Sequence, residues 1–390
     1  MTTTIRGRFG ALAAGGALIA SLLIPTSAAW ATEKQASQAD SDTAKWAQAS
    51  PKRFHDAIRL TDRVTYTDAG RFPATACDLT GDGLTDMVFT NPTRGDLTVI
   101  PHIPYGSDTD EVTKTLAQQE GAITVTAPEG ASGFGSSSAC LPSWGSTSDE
   151  KKTRAIAVAA GNTVYVLRAP LAAGPAKPIA TFTAPTTIDA VSSIVPAWSD
   201  LKTGTLAIAA GNTVYAVRYD SSSGDLTKVA RTTWTSSLQG PLTLAPVGNV
   251  FQTNGENLGL AVGAPKDNRV YVLDASGLPG AIEKKGRAIQ ASGEGAQFGA
   301  AIAGVGDLNG DGLADIAIGA PGASGDKGAV AIVLGNERRK NGVSVALESA
   351  DANPVVDQDE NTAGYLLRKA TRARLGSSLA WIPGVDNADD

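Results

Sequence analysis

The chain has 390 residues, with 33 Lys+Arg against 39 Asp+Glu, a formal charge of −6, 43 Gly, and only 2 Cys, 2 His and 2 Met. Few charges and abundant small residues exclude coiled coils and long helical bundles, and the lack of a basic stripe excludes nucleic acid as a partner. The scarcity of His and Cys excludes Cys₄ and His-rich zinc sites.

In chain order, Arg6 and Arg8 precede an uncharged apolar run from Ala11 to Pro25. Ala29-Trp30-Ala31 then fits a small-residue cleavage site, so residues 1–31 read as a signal peptide. The run is shorter than the ~20 residues a membrane-spanning helix needs. The expectation is an exported protein, secreted or at the cell surface, with no stable membrane span after cleavage. Residues 32–53 are polar, with Trp46 the one large side chain, and read as a linker or short surface helix. Residues 54–390 read as one architectural unit.

That unit repeats itself. Ala155–Leu167 and Leu206–Val217 are nearly identical, each with two short β-type runs flanking a Gly-Asn turn, which is a hairpin signature. A third copy runs Leu258–Leu273 and a fourth Asp315–Pro321 with Gly328–Leu334. A diverged first copy runs Asp86–Pro92 with Gly95–Ile100. Tyr165, Tyr215 and Tyr271 fall 50 and 56 residues apart. Before the hairpins stand inner-strand starts at Phe72-Pro73, Phe134-Gly135, Phe298-Gly299 and Leu375-Gly376, with weaker equivalents near Val191 and Gly240. From Phe298 the predicted strand is all small or apolar, which suits a crowded position around an axis. Ala122–Thr126 and Ala176–Phe182 are candidate outer strands. Four strands per 50–60 residues indicate an all-β fold, a β-propeller of four-stranded blades.

Phe298-Gly299, then Asp307–Asp315, then Gly319-Ala320-Pro321 resemble the FG-GAP repeat of integrin α-chain propellers in order and spacing. The resemblance spans about residues 54–390. It is strong in that one repeat, partial in the first and around Gly263-Ala264-Pro265, and faint where Ala-Ala-Gly replaces Gly-Ala-Pro. It implies about six to seven blades, the last incomplete in this chain, and a role in adhesion or recognition. Ring closure then depends on residues 54–70 or on chain beyond Asp390; otherwise strand edges stay exposed.

Asp307, Asn309, Asp311 and Asp315 occupy positions 1, 3, 5 and 9 of one loop. Oxygen side chains at alternating positions, with Gly310 and Gly312 for tight turning and the Leu313 carbonyl at position 7, suit Ca²⁺. Asp78, Thr80, Asp82, the Leu84 carbonyl and Asp86 repeat the pattern, with Thr80 offering only a hydroxyl, so the expectation is a weaker site. The alternative for each loop is a Gly-rich turn without metal. Asp386, Asp389 and Asp390 begin what reads as a third such loop.

Cys77 and Cys140 sit at equivalent places in consecutive copies. Export permits a disulfide, and two buried thiols are the alternative. Arg94-Gly95-Asp96 spells a tripeptide that integrins recognise, but it falls where other copies place a hairpin turn, and backbone geometry explains it. There is no nucleophile elbow and no P-loop, and His55 and His102 are isolated. The expected function is non-catalytic binding of an extracellular protein or glycan. A polysaccharide-acting hydrolase or lyase, or a lectin, on the same scaffold is the alternative.

Overall fold

The computed structural model describes residues 75–82, 86–101, 121–144, 153–185, 190–196, 205–220, 225–251, 259–274, 280–336, 342–347, 355–356, 363–368 and 372–379, and four short strands elsewhere. Of these four, β1 (Ala11–Ala14) and β2 (Ala17–Ala20) pair as a hairpin inside the segment read as a signal peptide, and β3 (Leu60–Thr61) pairs in parallel with β7 (Lys114–Thr115). The proposed linker, Leu84, His55, His102 and the acids after Asn387 lie outside the described residues, as does Asp386.

Five antiparallel sheets follow one another along the chain. Blade A is β4 (Thr75–Cys77), β5 (Asp86–Asn91), β6 (Asp96–Ile100) and β8 (Ile123–Thr126). Blade B is β9 (Ser138–Trp144), β10 (Thr153–Ala160), β11 (Thr163–Arg168) and β13 (Pro178–Thr183). Blade C is β14 (Val191–Pro196), β15 (Thr205–Ala210), β16 (Thr213–Asp220) and β17 (Asp225–Thr235). Blade D is β18 (Thr243–Gly248), β19 (Gly259–Ala264), β20 (Arg269–Asp274) and β21 (Arg287–Ser292). Blade E is β22 (Ala301–Gly306), β23 (Asp315–Ala320), β24 (Ala329–Val333) and β27 (Gly364–Arg368). The first strands of successive blades, β4, β9, β14, β18 and β22, neighbour one another in that order. These are propeller blades. A sixth start, Leu375-Gly376, docks on blade E, where Leu375 N donates to Lys327 O at 3.2 Å.

The apolar cores lie between blades. One cluster joins Ala155 and Ala157 of blade B to Leu206 and Ile208 of blade C, and another joins Ala261 of blade D to Ile316 and Ile318 of blade E. Second strands flanked by packed neighbours are covered on both faces: Ala155–Ala160 and Asp315–Ala320 are buried at every position and read as continuous runs of small and branched residues without alternation, whereas in β5 of blade A Met87 and Phe89 are partly exposed.

The Gly-Asn turns are two-residue hairpin loops, with Ala160 paired to Thr163 and Ala210 to Thr213. Gly161 at φ +57° and Gly211 at φ +59° stand at the first loop position, as a type II′ turn requires. The Asn does more than turn the chain. Asn212 Nδ2 donates to Ser236 O at 2.7 Å and Asn268 Nδ2 to Gly293 O at 2.7 Å, each tying the hairpin to the segment that leaves the fourth strand.

Two features depart from the sequence expectation. The inner strand of blade E begins at Ala301, not at Phe298; Phe298 is fully buried between blades D and E while Gly299 takes φ +93° in the preceding turn. Hydroxyls, and not only small size, serve the crowded axis. Ser137 Oγ accepts from Ile194 N at 3.1 Å, Ser193 Oγ accepts from Leu244 N at 3.0 Å, and Thr243 Oγ1 donates to Gly299 O at 2.5 Å, each bond crossing to the next blade.

The outer edges of blades A, C and D are also covered. β12 (Gly174–Pro175), from the β11–β13 connection of blade B, adds in parallel to β8 of blade A. β25 (Val343–Ala346), from the β24–β27 connection of blade E, adds in parallel to β21 of blade D and carries β26 (Val355–Val356). Ala281 bridges Thr235 of blade C in the same sense. A connection of the following blade thus blunts an edge that would otherwise template pairing with another chain.

Candidate metal loops

Each acidic loop joins the first strand of a blade to the second, and each ends on an aspartate that opens the second strand. Asp86 opens β5 and Asp315 opens β23, and both are fully buried. Asp315 Oδ2 accepts from Leu308 N and Oδ1 from Gly335 N, both at 2.7 Å. Asp86 Oδ2 accepts from Leu79 N at 2.7 Å and from Thr80 N at 2.8 Å. The position-1 carboxylates also match: Asp307 Oδ1 accepts from Gly310 N at 2.7 Å and Asp78 Oδ1 from Gly81 N at 2.6 Å. The first turns of the two loops therefore share two bonds, the position-9 carboxylate to the amide at position 2 and the position-1 carboxylate to the amide at position 4.

The blade E loop carries the richer donor set. Asp307 accepts further bonds from Asp311 N at 3.1 Å and Gly312 N at 2.7 Å. Asn309 Nδ2 donates to Asp311 Oδ2 at 3.0 Å, and Leu313 N donates to Asp311 Oδ1 at 2.9 Å. Burial, opposed by its two amide bonds and reinforced by the charges of Asp311 and Asp307, pushes the Asp315 carboxyl up to about 6. Three carboxylates and an amide oxygen, with Asp307, Asn309 and Asp311 within one turn, are hard donors of the kind Ca²⁺ takes. Among the described residues no three acidic, His or Cys side chains already converge as a cage. Asp315 faces backbone amides, and Leu313 is buried with its N–H spent on Asp311.

In the blade A loop the donors are committed differently. Asp78 Oδ2 is ion-paired with Arg154 Nη1, from β10 of blade B. Thr80 Oγ1 donates to Asp86 Oδ1 at 3.3 Å. Asp82 is exposed. The sequence, read one repeat at a time, carried no sign of Arg154, because that residue belongs to the next repeat.

Cys140 is disulfide-bonded, and the chain has one other cysteine, Cys77. In the Arg94-Gly95-Asp96 turn, Asp96 is 5% exposed and paired with Arg94 of the same tripeptide. Its carboxylate is turned inward and is not displayed. Among the described residues, no helix is long and apolar enough to cross a membrane.

Sheets stacked around an axis, with a loop-borne acidic site between first and second strands, define a propeller-type repeat protein. The family model of the FG-GAP repeat matches residues 298–333, and the chain carries an FG-GAP repeat there. That span runs from the Phe298-Gly299 turn through the Asp307–Asp315 loop to the end of β24. No curated protein sequence matches. Among solved structures, a chain of an active polycomb repressive complex 2 in the basal state is similar at 13% identity and a TM-score of 0.36, over 58% of this chain and 42% of that one. BBS1N in complex with ARL6DN is similar at 15% identity and a TM-score of 0.32, over 66% of this chain and 77% of that one. The present chain thus spans well under two thirds of the first of these.

Proposed function

We propose that this protein is an exported, calcium-stabilised propeller that binds an extracellular protein or glycan and catalyses no reaction. The observation that supports the ion is the Asp307–Asp315 loop, where hard oxygen donors gather inside the segment that matches the FG-GAP repeat. Asp307, Asn309 and Asp311 are the residues that would hold Ca²⁺, with the Leu313 carbonyl and Asp315 behind them. The ion would neutralise three acids and stiffen the joint between β22 and β23; it is given no part in chemistry. Export follows from the reading of residues 1–31, and a binding role from the character of the repeat.

Calorimetric titration of chelator-treated protein with calcium tests the ion, and Asp311→Ala is expected to abolish uptake at this loop. No uptake by wild type that remains folded would overturn it. Turnover of a polysaccharide or ester panel, lost on changing one acid, would overturn the non-catalytic reading. N-terminal sequencing of exported protein is expected to begin near Thr32; retention of Arg6 and Arg8 would make the segment an anchor.

A further inference from the structure

The blade A loop has the acidic pattern of the blade E loop, and it makes three contacts to blade B. Arg154 pairs with Asp78. Leu171 N donates to Leu79 O at 2.8 Å. Gly81 lies against Pro170, so that a Cβ on it would sit 3.6 Å from the proline Cβ. The Asp78 side chain is 6% exposed and that of Arg154 is 42% exposed. A carboxylate that far from water must be hydrogen-bonded or paired, and for Asp78 the paired cation is covalently part of the neighbouring blade.

At position 3 the two loops also differ in ligand type: Thr80 has only a hydroxyl, whose proton goes to Asp86 Oδ1 at 3.3 Å. In blade E the residue at that position, Asn309, belongs to a chain of contacts running to Asp311 on the exposed side of the loop. Among the described residues no Lys or Arg pairs with Asp307 or Asp311.

We infer that the Asp78–Asp86 loop is not a metal site in this protein: the Arg154 guanidinium takes the place of the cation and fastens blade A to blade B. Arginine suits the task because its planar fork of N–H donors matches a carboxylate. A divalent ion would have to expel that guanidinium from Asp78 before it could bind there.

The test is a difference in calcium stoichiometry, so it holds whatever the blade E loop does. Chelator-treated full-length protein is titrated with calcium as wild type, Asp82→Ala, Arg154→Met and Arg154→Lys. Asp82 is exposed, so its truncation removes no core packing, and calcium uptake by the folded variant is expected to match wild type. Arg154→Met, by unmasking Asp78, is expected to gain one calcium per chain over wild type, and Arg154→Lys, which keeps the charge, to gain none. Uptake lowered by one ion in Asp82→Ala would overturn the inference. So would a folded Arg154→Met chain with wild-type uptake. Should Arg154→Met fail to fold, the Asp82→Ala comparison decides alone.

Discussion

Gly319 of blade E and Gly376 at the start of the next inner strand meet backbone to backbone: a Cβ on Gly376 would lie 2.7 Å from Gly319 Cα. Gly263 and Gly299 repeat the contact one blade earlier, with 3.3 Å between a Cβ on Gly299 and Gly263 Cα. The glycine of the Phe-Gly pair and the glycine of the preceding Gly-Ala-Pro are thus two halves of one joint between neighbouring blades. Gly299 and Gly376 also take φ +93° and +87°, which side chains resist.

Gly319→Ala should therefore destabilise the protein by about 3 kcal/mol, at the upper end for overpacking a tight contact. Its Cβ would meet backbone, which cannot swing aside. Chemical denaturation reads the loss. Wild-type stability would mean the blades part without cost and the joint is loose.

Asp315→Asn should be costly for a different reason. Both carboxylate oxygens accept from buried amides, those of Leu308 and Gly335. An asparagine keeps one acceptor and turns a donor toward the other amide, and an orphaned buried N–H costs about 1–3 kcal/mol. Asp315→Asn without loss of melting temperature would show that the loop has another anchor.

Calcium should raise the melting temperature, and chelation should lower it. An ion that binds only the folded state stabilises by about 2.7 kcal/mol at 100 times its Kd. Magnesium should restore less than calcium, because its tight octahedral shell fits a loop of long-reaching carboxylates poorly. Asp311→Ala should flatten the calcium response; an undiminished response would move the site elsewhere.

Glu283 supplies a pH signature. Burial by itself raises its carboxyl, but bonds from Ser236 Oγ at 2.7 Å, Ser237 N at 2.7 Å and Ser237 Oγ at 3.0 Å outweigh it, and the net shift is downward from 4.5. A depressed folded pKa contributes stability that is present above the unfolded value and lost as pH falls through the folded one. Wild type should therefore exceed Glu283→Gln in stability at neutral pH. The gap should close as pH drops below 4.5. A gap independent of pH would mean the contact between blades C and D is steric.

Truncating an axial hydroxyl should loosen neighbouring blades. Ser193→Ala removes the acceptor for Leu244 N, for a loss of about 1 kcal/mol. Amide exchange at Leu244 should quicken with it. Unchanged exchange there would assign the protection to packing alone.

The repeat and the strand order within blades were legible in the sequence, because hairpins are local. A Gly-Asn pair between two apolar runs specifies its own turn and register, as Ala160 opposite Thr163 bears out. The continuous burial of Ala155–Ala160 and of Ile316–Ala320 was legible too, since unbroken small and branched residues leave no polar face for water. The spacing of Asp307, Asn309, Asp311 and Asp315 likewise marked one loop, within reach of a single turn.

What joins one repeat to another was not legible, because partners fifty residues apart leave no local trace. Tertiary structure alone decided that Ser193 meets Leu244 and that Gly319 meets Gly376. It alone set Arg154 against Asp78. The two acidic loops look alike to the eye that reads spacing, and the bonds from Leu79 N to Asp86 and from Leu308 N to Asp315 repeat at the same loop position. Whether a carboxylate is left to attract an ion depends on what the neighbouring blade brings to it, and for Asp78 that is a guanidinium.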